Sequence, residues 1–202
     1  MIYLLATNNP GKAKEIAPLF EEAGLRLISL ADLGLSFEAR EDGETFLANA
    51  MQKAWETAAF LRERGHLQVA VLADDSGLAI DALDGAPGVH SALFMGRDTP
   101  YPIRCNAILD MLQEQRTARF VCNLVCLFPD DTSLTAVGTI DGSIAYEIHG
   151  EGGFGYDPIF FYPPLGKTLA QLTKDEKNAV SHRGKAIKKM IGLIINADTC
   201  TQ

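Results

Sequence analysis

Positive charge is scarce in this sequence, and so are cysteine and tryptophan. The 202 residues include 18 Lys and Arg against 26 Asp and Glu, which gives a formal net charge of −8 at pH 7. Binding to DNA or RNA backbones depends on many Lys and Arg contacts with phosphates, so polymeric nucleic acid is a poor partner for this chain. A small anion is still possible where positive charge is concentrated, and Lys167 to Lys189 holds seven of the eighteen basic residues.

The low number of cysteines and the lack of long apolar runs limit the possible cellular location. Cys105, Cys122, Cys126 and Cys200 contain no Cys-x-x-Cys pair, and a domain of this size does not need disulfides. No apolar run reaches the roughly 18 to 20 residues that span a bilayer, and the first six residues lack the positive charge of a secretory leader. We therefore expect reduced thiols and a cytoplasmic protein.

The residues that are present have the pattern of an α/β protein. Hydrophobic residues make up 47% and charged residues 22%, close to the averages of globular proteins. Periodicity and turn residues predict strands at 2–6, 26–30 and 69–73, helices at 16–23, 44–64, 103–112 and 181–196, and a hairpin of 118–128 with 133–144. We expect an elongated mixed β-sheet flanked by helices, with a cleft between two lobes, and a single domain over residues 1–202.

A short polar segment, Thr7-Asn8-Asn9-Pro10-Gly11-Lys12, lies between the first strand and the first helix. Unpaired N–H groups and the dipole at a helix N-terminus favour phosphate, so this segment could cradle a triphosphate. Its spacing is not that of a Walker loop. Because Asn, Pro and Gly are common turn residues, an ordinary capped turn is the alternative.

Two adjacent carboxylates, Asp74 and Asp75, follow the apolar run Val69 to Ala73. We expect them at the end of a buried strand, where they repel each other unless a cation or hydrogen-bond donors compensate. Magnesium prefers one or two carboxylates together with waters and substrate phosphates, so it suits such a place. The alternative is an exposed Asp-Asp-Ser-Gly turn.

Acidic residues also crowd the start of the long helix, and Glu41 is the first of them. Acids at a helix start usually serve only the helix dipole. Lys53 follows two and a half turns into the helix, and by itself it would be expected on a solvated face.

Two later segments carry rings and donors. Gly152 to Pro158 combines a flexible backbone with Phe154, Tyr156 and Asp157; base stacking on a ring is one use, and an aromatic loop packed on the core is the alternative. It is not a dinucleotide-binding glycine motif, because no helix is expected after it. Lys177 to Lys185 sets donors ahead of and inside the first turn of the last helix, with Ser181 as its expected cap.

The order of these motifs is more specific than any one of them. They read Thr-Asn-x-x-Gly-Lys, Glu-x-Gly-x-Thr-Phe-x-x-Asn-Ala-x-x-Lys-Ala, Asp-Asp-Ser-Gly-Leu, Gly-Ala-Pro-Gly, Gly-Gly-Phe-Gly-Tyr-Asp-Pro-Ile-Phe and Ser-His-Arg-Gly-Lys-Ala. From Thr7 to about Ile187 the chain resembles the inosine triphosphate pyrophosphatase family, also called the non-canonical purine NTP (dITP/XTP) pyrophosphatases. The resemblance implies hydrolysis of ITP, dITP and XTP to monophosphate and pyrophosphate, Mg²⁺ as cofactor, a central nucleotide-binding cleft and a homodimer.

The resemblance also assigns roles to residues of this chain. It makes the triphosphate loop from Thr7, Asn8, Asn9, Pro10, Gly11 and Lys12. It makes Glu41 and Asp75 the magnesium-associated acids, with Asp74 supporting the metal and Asp75 as the catalytic base. Substrate contacts are implied for Lys53 and Ser76, base and sugar contacts for Phe154, Gly155, Tyr156 and Asp157, and the rest of the nucleotide pocket for Lys177, His182 and Arg183.

One position departs from that pattern. After Ala92, bacterial-type relatives commonly have Arg, whereas this chain has Leu93, so we expect a basic contact near the phosphates or at the dimer contact to be missing.

Two other functions are compatible with the same motifs. One is a nucleotide sensor that binds without turnover, which Asp74 and Asp75 disfavour because carboxylates oppose phosphate binding unless a metal is present. The other is a house-cleaning pyrophosphatase that acts on modified pyrimidine nucleotides.

Overall fold

The computed structural model describes residues 1–199. Its strands are β1 (Ile2–Leu5), β2 (Arg26–Ser29), β3 (Val69–Ile80), β4 (Thr117–Leu127), β5 (Ser133–Ile144), β6 (Phe160–Tyr162) and β7 (Lys167–Thr168). Its α-helices are α1 (Pro10–Glu22), α2 (Phe46–Arg62), α3 (Tyr101–Met111), α4 (Lys174–Val180) and α5 (His182–Thr199). Short 3₁₀ turns connect several of these elements.

All seven strands belong to one mixed sheet with the order β2-β1-β3-β4-β5-β6-β7. The β1 strand pairs in parallel with both β2 and β3. At the other end of the order, β6 pairs antiparallel with both β5 and β7. The predicted α/β class, the mixed sheet and the hairpin of β4 with β5 are therefore confirmed.

The chain forms two compact units, and each unit is built from segments that are not consecutive in the sequence. Unit 1 comprises Met1–Asp75, Cys122–Gly138 and the C-terminal segment from Arg183; unit 2 comprises Ser76–Val121 and Thr139–His182. Strands β3, β4 and β5 each contribute residues to both units. The expectation of one domain for residues 1–202 stays a prediction.

Unit 1 has a hydrophobic layer on each face of its strands, because successive side chains of a strand point to opposite faces. Ala70 and Leu72 of β3 pack in one layer with buried residues of α1 and α5. Val71 and Ala73 pack in the other layer with buried residues of α2. The residues that follow on β3, Asp74 and Asp75, continue this alternation.

Unit 2 has its own core, built on the second half of β3. Leu78 and Ile80 pack with Ile108 of α3 and with Phe160 of β6 in one buried cluster. The same cluster contains Tyr156, which belongs to the Gly- and aromatic-rich segment before β6. That segment is therefore anchored in the core of unit 2.

The expected end of the third strand at Ala73 is wrong. The β3 strand continues through Asp74 and Asp75 to Ile80, and both carboxylates are buried inside it. A hydrophobic run indicates where a strand can be buried, but it misses a strand that continues through charged residues whose partners come from distant helices. The exposed Asp-Asp-Ser-Gly turn is also excluded.

Helix α4 was not predicted, and α2 begins two residues later than expected. Thr173 and Glu176 form a reciprocal capping box at the start of α4, a Thr-x-x-Glu signal that is readable in the sequence. The side chain of Thr45 caps α2 by accepting a hydrogen bond from the backbone N–H of Ala48. Glu44 therefore lies outside the helix.

The described cysteines are buried thiols. Cys105, Cys122 and Cys126 are free, and burial raises the pKa of Cys105 to about 11 and that of Cys122 to about 12. Cys200 lies outside the described residues. None of the helices within residues 1–199 has the length and apolar character needed to cross a membrane.

Candidate active site

The two carboxylates of β3 occupy different environments in unit 1. Asp74 continues the face that packs on α1 and α5, and Asp75 continues the face that packs on α2. Each therefore has its own partners, and the repulsion expected between adjacent carboxylates is relieved by their opposite directions as well as by cations.

Asp74 is fully buried between two cations. Its Oδ2 lies 2.9 Å from Nζ of Lys12 and 3.6 Å from Nε of Arg183. Burial by itself would raise the pKa of Asp74, but the charges of Lys12, Arg183 and Lys53 outweigh it and hold that pKa well below its usual range. Asp74 is therefore an anion at every working pH.

Arg183 is itself held from two sides. Its Nη1 donates to Oε2 of Glu15 at 2.5 Å, and its side chain is only 3% exposed. Burial alone would lower the pKa of Arg183, but Asp74 and Glu15 raise it. These contacts make Arg183 an anchor for Asp74, and the nucleotide contact that the resemblance implies for it stays a prediction.

Glu15 is a site residue that sequence reasoning missed. It is buried on α1, three residues after Lys12, so both side chains lie on one side of that helix. An acidic residue on the same helical side as a proposed phosphate-binding lysine was the available signal.

Asp75 is nearly as buried, at 4% exposure, but its pKa moves in the opposite direction. Burial is the largest cause and raises the pKa of Asp75, and the negative charge of Glu41 adds to this; Lys12, Asn49 and Lys53 oppose the rise without cancelling it. Nδ2 of Asn49 donates to Oδ2 of Asp75 at 2.9 Å, which orients the carboxylate.

Asn49 was also missed as a site residue. It lies in the quoted Asn-Ala motif of α2, four residues before Lys53, and both side chains are buried. Buried polar residues at helical i, i+4 spacing were the signal that could have found it.

Lys53 does not lie on a solvated face. Its Nζ donates to the backbone oxygen of Asp74 at 2.9 Å and forms an ion pair with Glu41. Burial opposes its charge, yet Asp74 and Glu41 raise the pKa of Lys53 overall. Glu41 is therefore brought to the carboxylates of β3 and does not merely serve a helix dipole.

The segment from Thr7 to Lys12 is a capped helix start. Oδ1 of Asn9 accepts hydrogen bonds from the backbone N–H groups of Gly11 and Lys12 at 2.9 and 3.3 Å, and Pro10 has no N–H. Oγ1 of Thr7 accepts from the N–H of Asn9, and exposed Asn8 donates to the backbone oxygen of Phe37. The ordinary capped turn is thus present, and Lys12 is the residue that links it to Asp74.

A divalent cation fits part of the expected acidic set. Among the described residues, no group of three or more His, Cys, Asp or Glu side chains is arranged to hold a metal ion, so Glu41, Asp75 and Asp74 do not form a three-acid cage. Asp74 already faces Lys12 and Arg183. Glu41 and Asp75 remain suitable, because their mutual repulsion raises the pKa of Asp75 and Mg²⁺ needs only one or two carboxylates besides phosphate and water.

In unit 2, the Gly- and aromatic-rich segment is organised around Asp157. Its Oδ2 accepts from the backbone N–H of Phe154 at 2.7 Å and from Nζ of Lys177 at 2.5 Å. Nζ of Lys177 also lies 4.9 Å from the centre of the Phe154 ring. Gly153 has φ of +69°, and a Cβ there would lie 2.2 Å from Oδ2 of Asp157, so only glycine fits.

The other predicted residues of unit 2 are either buried or half-buried. Tyr156 is 2% exposed, so its ring packs on the core, whereas Phe154 is half-buried. His182 is buried and stacks on Phe120, with ring centres 4.7 Å apart. Ser76 is half-buried and directly follows Asp75, and Leu93 is exposed.

Fold and site together define a mixed α/β protein in which an interior strand carries two buried carboxylates with lysines and an arginine around them. The Ham1 family model matches residues 3–193, and the chain belongs to the Ham1 family.

Relatives and solved structures match over almost the whole chain. A dITP/XTP pyrophosphatase of Exiguobacterium sp. is 48% identical over 96% of this chain and 97% of its own length. The dITP/XTP pyrophosphatase of Escherichia coli strain K12 is 43% identical over 96% of this chain and 98% of its own. The Ham1 protein structure from Staphylococcus aureus has a TM-score of 0.84 at 36% identity, covering 98% of this chain and 100% of that one.

Proposed function

We propose that this chain hydrolyses non-canonical purine nucleoside triphosphates, ITP, dITP and XTP, to the monophosphate and pyrophosphate, and so cleanses the nucleotide pool. The observation that carries the proposal is the opposite displacement of two neighbouring pKa values, down for Asp74 and up for Asp75. Two acids whose environments push their pKa values apart are the mark of an acid–base site. The dITP/XTP pyrophosphatases that this chain resembles support the substrate class.

Asp75 is the proposed general base. A carboxylate whose pKa is raised toward neutrality accepts a proton more readily than an ordinary Asp, so Asp75 takes the proton of the attacking water on a carboxylate oxygen. Asn49 holds the plane of this carboxylate through its hydrogen bond to Oδ2. Attack on the α-phosphorus expels pyrophosphate as one piece.

The lysines of unit 1 are the proposed charge-balancing groups. Lys12 and Lys53 are held against Asp74, at its side chain and at its backbone oxygen. Fixed cations that need no rearrangement stabilise negative charge as it builds on phosphate oxygens. The segment from Thr7 to Lys12 stays the proposed triphosphate loop, with Asn9 exchanging its helix cap for the ligand.

We propose Mg²⁺ as the cofactor, with Glu41 and Asp75 as the residues that would hold it. When bound, it supplies positive charge to the phosphate oxygens and the leaving group. The part proposed for Asp74 is to hold Lys12, with Arg183 holding Asp74 and Glu15 holding Arg183.

The base and sugar are assigned to the Phe154–Asp157 segment with Lys177, and His182 and Ser76 remain proposed contacts. Phe154 offers a half-buried ring face for stacking, and Lys177 with Asp157 offers paired polar groups. A site that donates to O6 of hypoxanthine or xanthine leaves that donor unpaired against the amino group of adenine. Such a mismatch can discriminate by roughly 10⁴-fold.

The experiment that tests the proposal is a substrate panel. Purified protein with Mg²⁺ is incubated with ITP, dITP, XTP, ATP, GTP and modified pyrimidine triphosphates, and released pyrophosphate and phosphate are measured separately. We expect pyrophosphate from the first three at rates well above those for ATP. Binding without release would identify a nucleotide sensor, and preference for the pyrimidines would identify the other house-cleaning activity.

Two further properties are proposed, a cytoplasmic location from the residue pattern of the sequence and a homodimer from the resemblance. Size-exclusion chromatography with light scattering tests the second: a mass near twice 21.9 kDa supports it, and the monomer mass contradicts it.

A further inference from the structure

Unit 2 contains a buried arginine whose two terminal nitrogens are bound by backbone oxygens, while its Nε has no hydrogen-bond partner among the described residues. Arg104 on α3 is 2% exposed, and within residues 1–199 it contacts no carboxylate. Its Nη1 lies 3.4 Å from the backbone oxygen of Ser91 and 2.8 Å from that of Ala92. Its Nη2 lies 2.8 Å from the oxygen of Gly96 and 3.1 Å from that of Arg97. A buried charge is costly unless well hydrogen-bonded, so this one calls for a specific reason.

The four acceptors belong to the two ends of one turn. Within this turn the backbone has positive φ at Met95, with φ of +64°, and at Gly96, with φ of +102°. A non-glycine residue with positive φ costs roughly 1 to 2 kcal/mol, so the surroundings must hold such a turn in place. Arg104 does so by binding carbonyl groups at both of its ends.

One of these carbonyl groups is shared with the proposed nucleotide segment. The hydroxyl of Tyr156 donates to the backbone oxygen of Ser91 at 2.9 Å, the same oxygen that faces Nη1 of Arg104. Burial, and then the neighbouring Tyr101, raise the pKa of Tyr156, so its hydroxyl remains a donor. The acceptor that fixes Tyr156 is therefore itself fixed by Arg104.

The rest of the same face of α3 touches the residue before Tyr156. Tyr101 lies beneath the guanidinium of Arg104, 4.8 Å from ring centre to Cζ, and meets the Tyr156 ring edge-on at 5.2 Å. Sγ of Cys105 lies 3.7 Å from the backbone oxygen of Gly155. Residues at i, i+3 and i+4 share one helical face, so one face of α3 carries Gly155 and Tyr156 together.

We propose that Arg104 is the positioning residue for the Phe154–Asp157 segment. It holds the Ser91 carbonyl, this carbonyl holds Tyr156, and Tyr156 fixes the backbone between Phe154 and Asp157. The inference rests on the proposed function, which places this segment against the base and sugar of the substrate. Since Arg104 touches no reacting atom, its loss weakens nucleotide binding and leaves the chemical step intact.

The test compares Arg104→Met with a matched change at Arg116, using kcat and KM for ITP. Arg116 is also in unit 2, donates to three backbone oxygens where Arg104 donates to four, and also lies over a tyrosine ring, that of Tyr146. We expect Arg104→Met to raise KM about tenfold with kcat within about twofold, the signature of lost uniform binding. We expect Arg116→Met to leave kcat and KM unchanged. Arg104→Lys should have a lower KM than Arg104→Met, because lysine retains the charge and three donors.

An unchanged KM in folded Arg104→Met overturns the inference. If that variant shows no cooperative melting, Tyr156→Phe decides, because it removes only the hydroxyl that contacts the Ser91 carbonyl and the Arg104 guanidinium: a raised KM supports the inference and a wild-type KM overturns it. If wild-type protein releases no pyrophosphate, the proposed function fails by itself. The affinity for ITP, measured by calorimetry, then tests the role of Arg104, and equal affinity of wild type and Arg104→Met overturns the inference.

Discussion

Each face of β3 carries a buried aspartate, and the surroundings shift the pKa values of the two aspartates in opposite directions. On one face Asp74 is surrounded by Lys12 and Arg183, and its pKa is lowered. On the other face burial and the negative charge of Glu41 raise the pKa of Asp75, and Lys12, Asn49 and Lys53 oppose the rise without cancelling it. The carboxylate proposed to stabilise the fold is matched with cations, whereas the one proposed as the general base is under-compensated. Both side chains are buried, at 0% and 4% exposure, so the difference in pKa comes mainly from their partners.

The largest expected effect is on the Asp75 face. Asp75→Asn should lower pyrophosphate release from ITP by at least about a thousandfold, because general-base catalysis is removed. Its melting temperature should equal or exceed that of the wild type, because the raised pKa means that folding disfavours the charged form of Asp75. Steady-state kinetics and a thermal melt measure the two quantities.

Asp130→Asn is the control for this substitution, since Asp130 is an exposed residue of unit 1 and its change should leave the rate unchanged. Full activity in Asp75→Asn would refute its assignment as the base. A large drop in its melting temperature would refute the contrast between the two faces.

The next effect is on the Asp74 face, and it is one of stability. Asp74→Asn should cost about 3 kcal/mol of unfolding free energy, because removing one member of a buried ion-pair network leaves buried cations uncompensated. Urea unfolding at neutral pH, with chelator present to exclude metal, measures it. A loss no greater than that of Asp130→Asn would contradict the stabilising role.

The pH dependence of stability sharpens the same contrast. The folded pKa of Asp74 lies below its ordinary 3.8, so its contribution is complete above that pH and is lost as the pH falls through the folded value. The difference in unfolding free energy between wild type and Asp74→Asn should therefore become smaller below about pH 4. The contribution of Asp75 to stability changes with pH in the opposite direction. Its ionised form destabilises the fold above its raised pKa, and this destabilisation disappears as the pH falls toward 3.8. Urea melts from pH 7 down to 3 show which sign holds.

The smallest effect concerns the orientation of Asp75. Asn49→Ala removes the donor to Oδ2 but keeps the charge of the base, so we expect kcat for ITP to fall about tenfold. The nearby Gln52→Ala on the same helix touches neither carboxylate and serves as the control. Equal rates in the two variants would show that Asn49 is only a packing residue.

Local patterns predicted the elements near the site well, and the long-range pairings poorly. The order of strand, polar turn and helix from Ile2 to Glu22 was predicted because its signals lie within a few neighbouring residues, although α1 begins at Pro10, inside the segment expected to be a turn. The extent of β3 was missed because the partners that stabilise Asp74 come from positions 12 and 183, far away in sequence. Glu15 and Asn49 were missed for the same reason, although both lie one helical turn from a lysine that was noticed.

By itself the sequence determined which residues could do chemistry, because motif order and residue type reveal acids, lysines and glycines. It also determined the α/β class, since periodicity is a local property. Only the tertiary structure decided which of two adjacent acids is held as an anion and which has its pKa raised. That choice depends on which helix packs on each face of a strand, and helices distant in sequence supply the charges that set it.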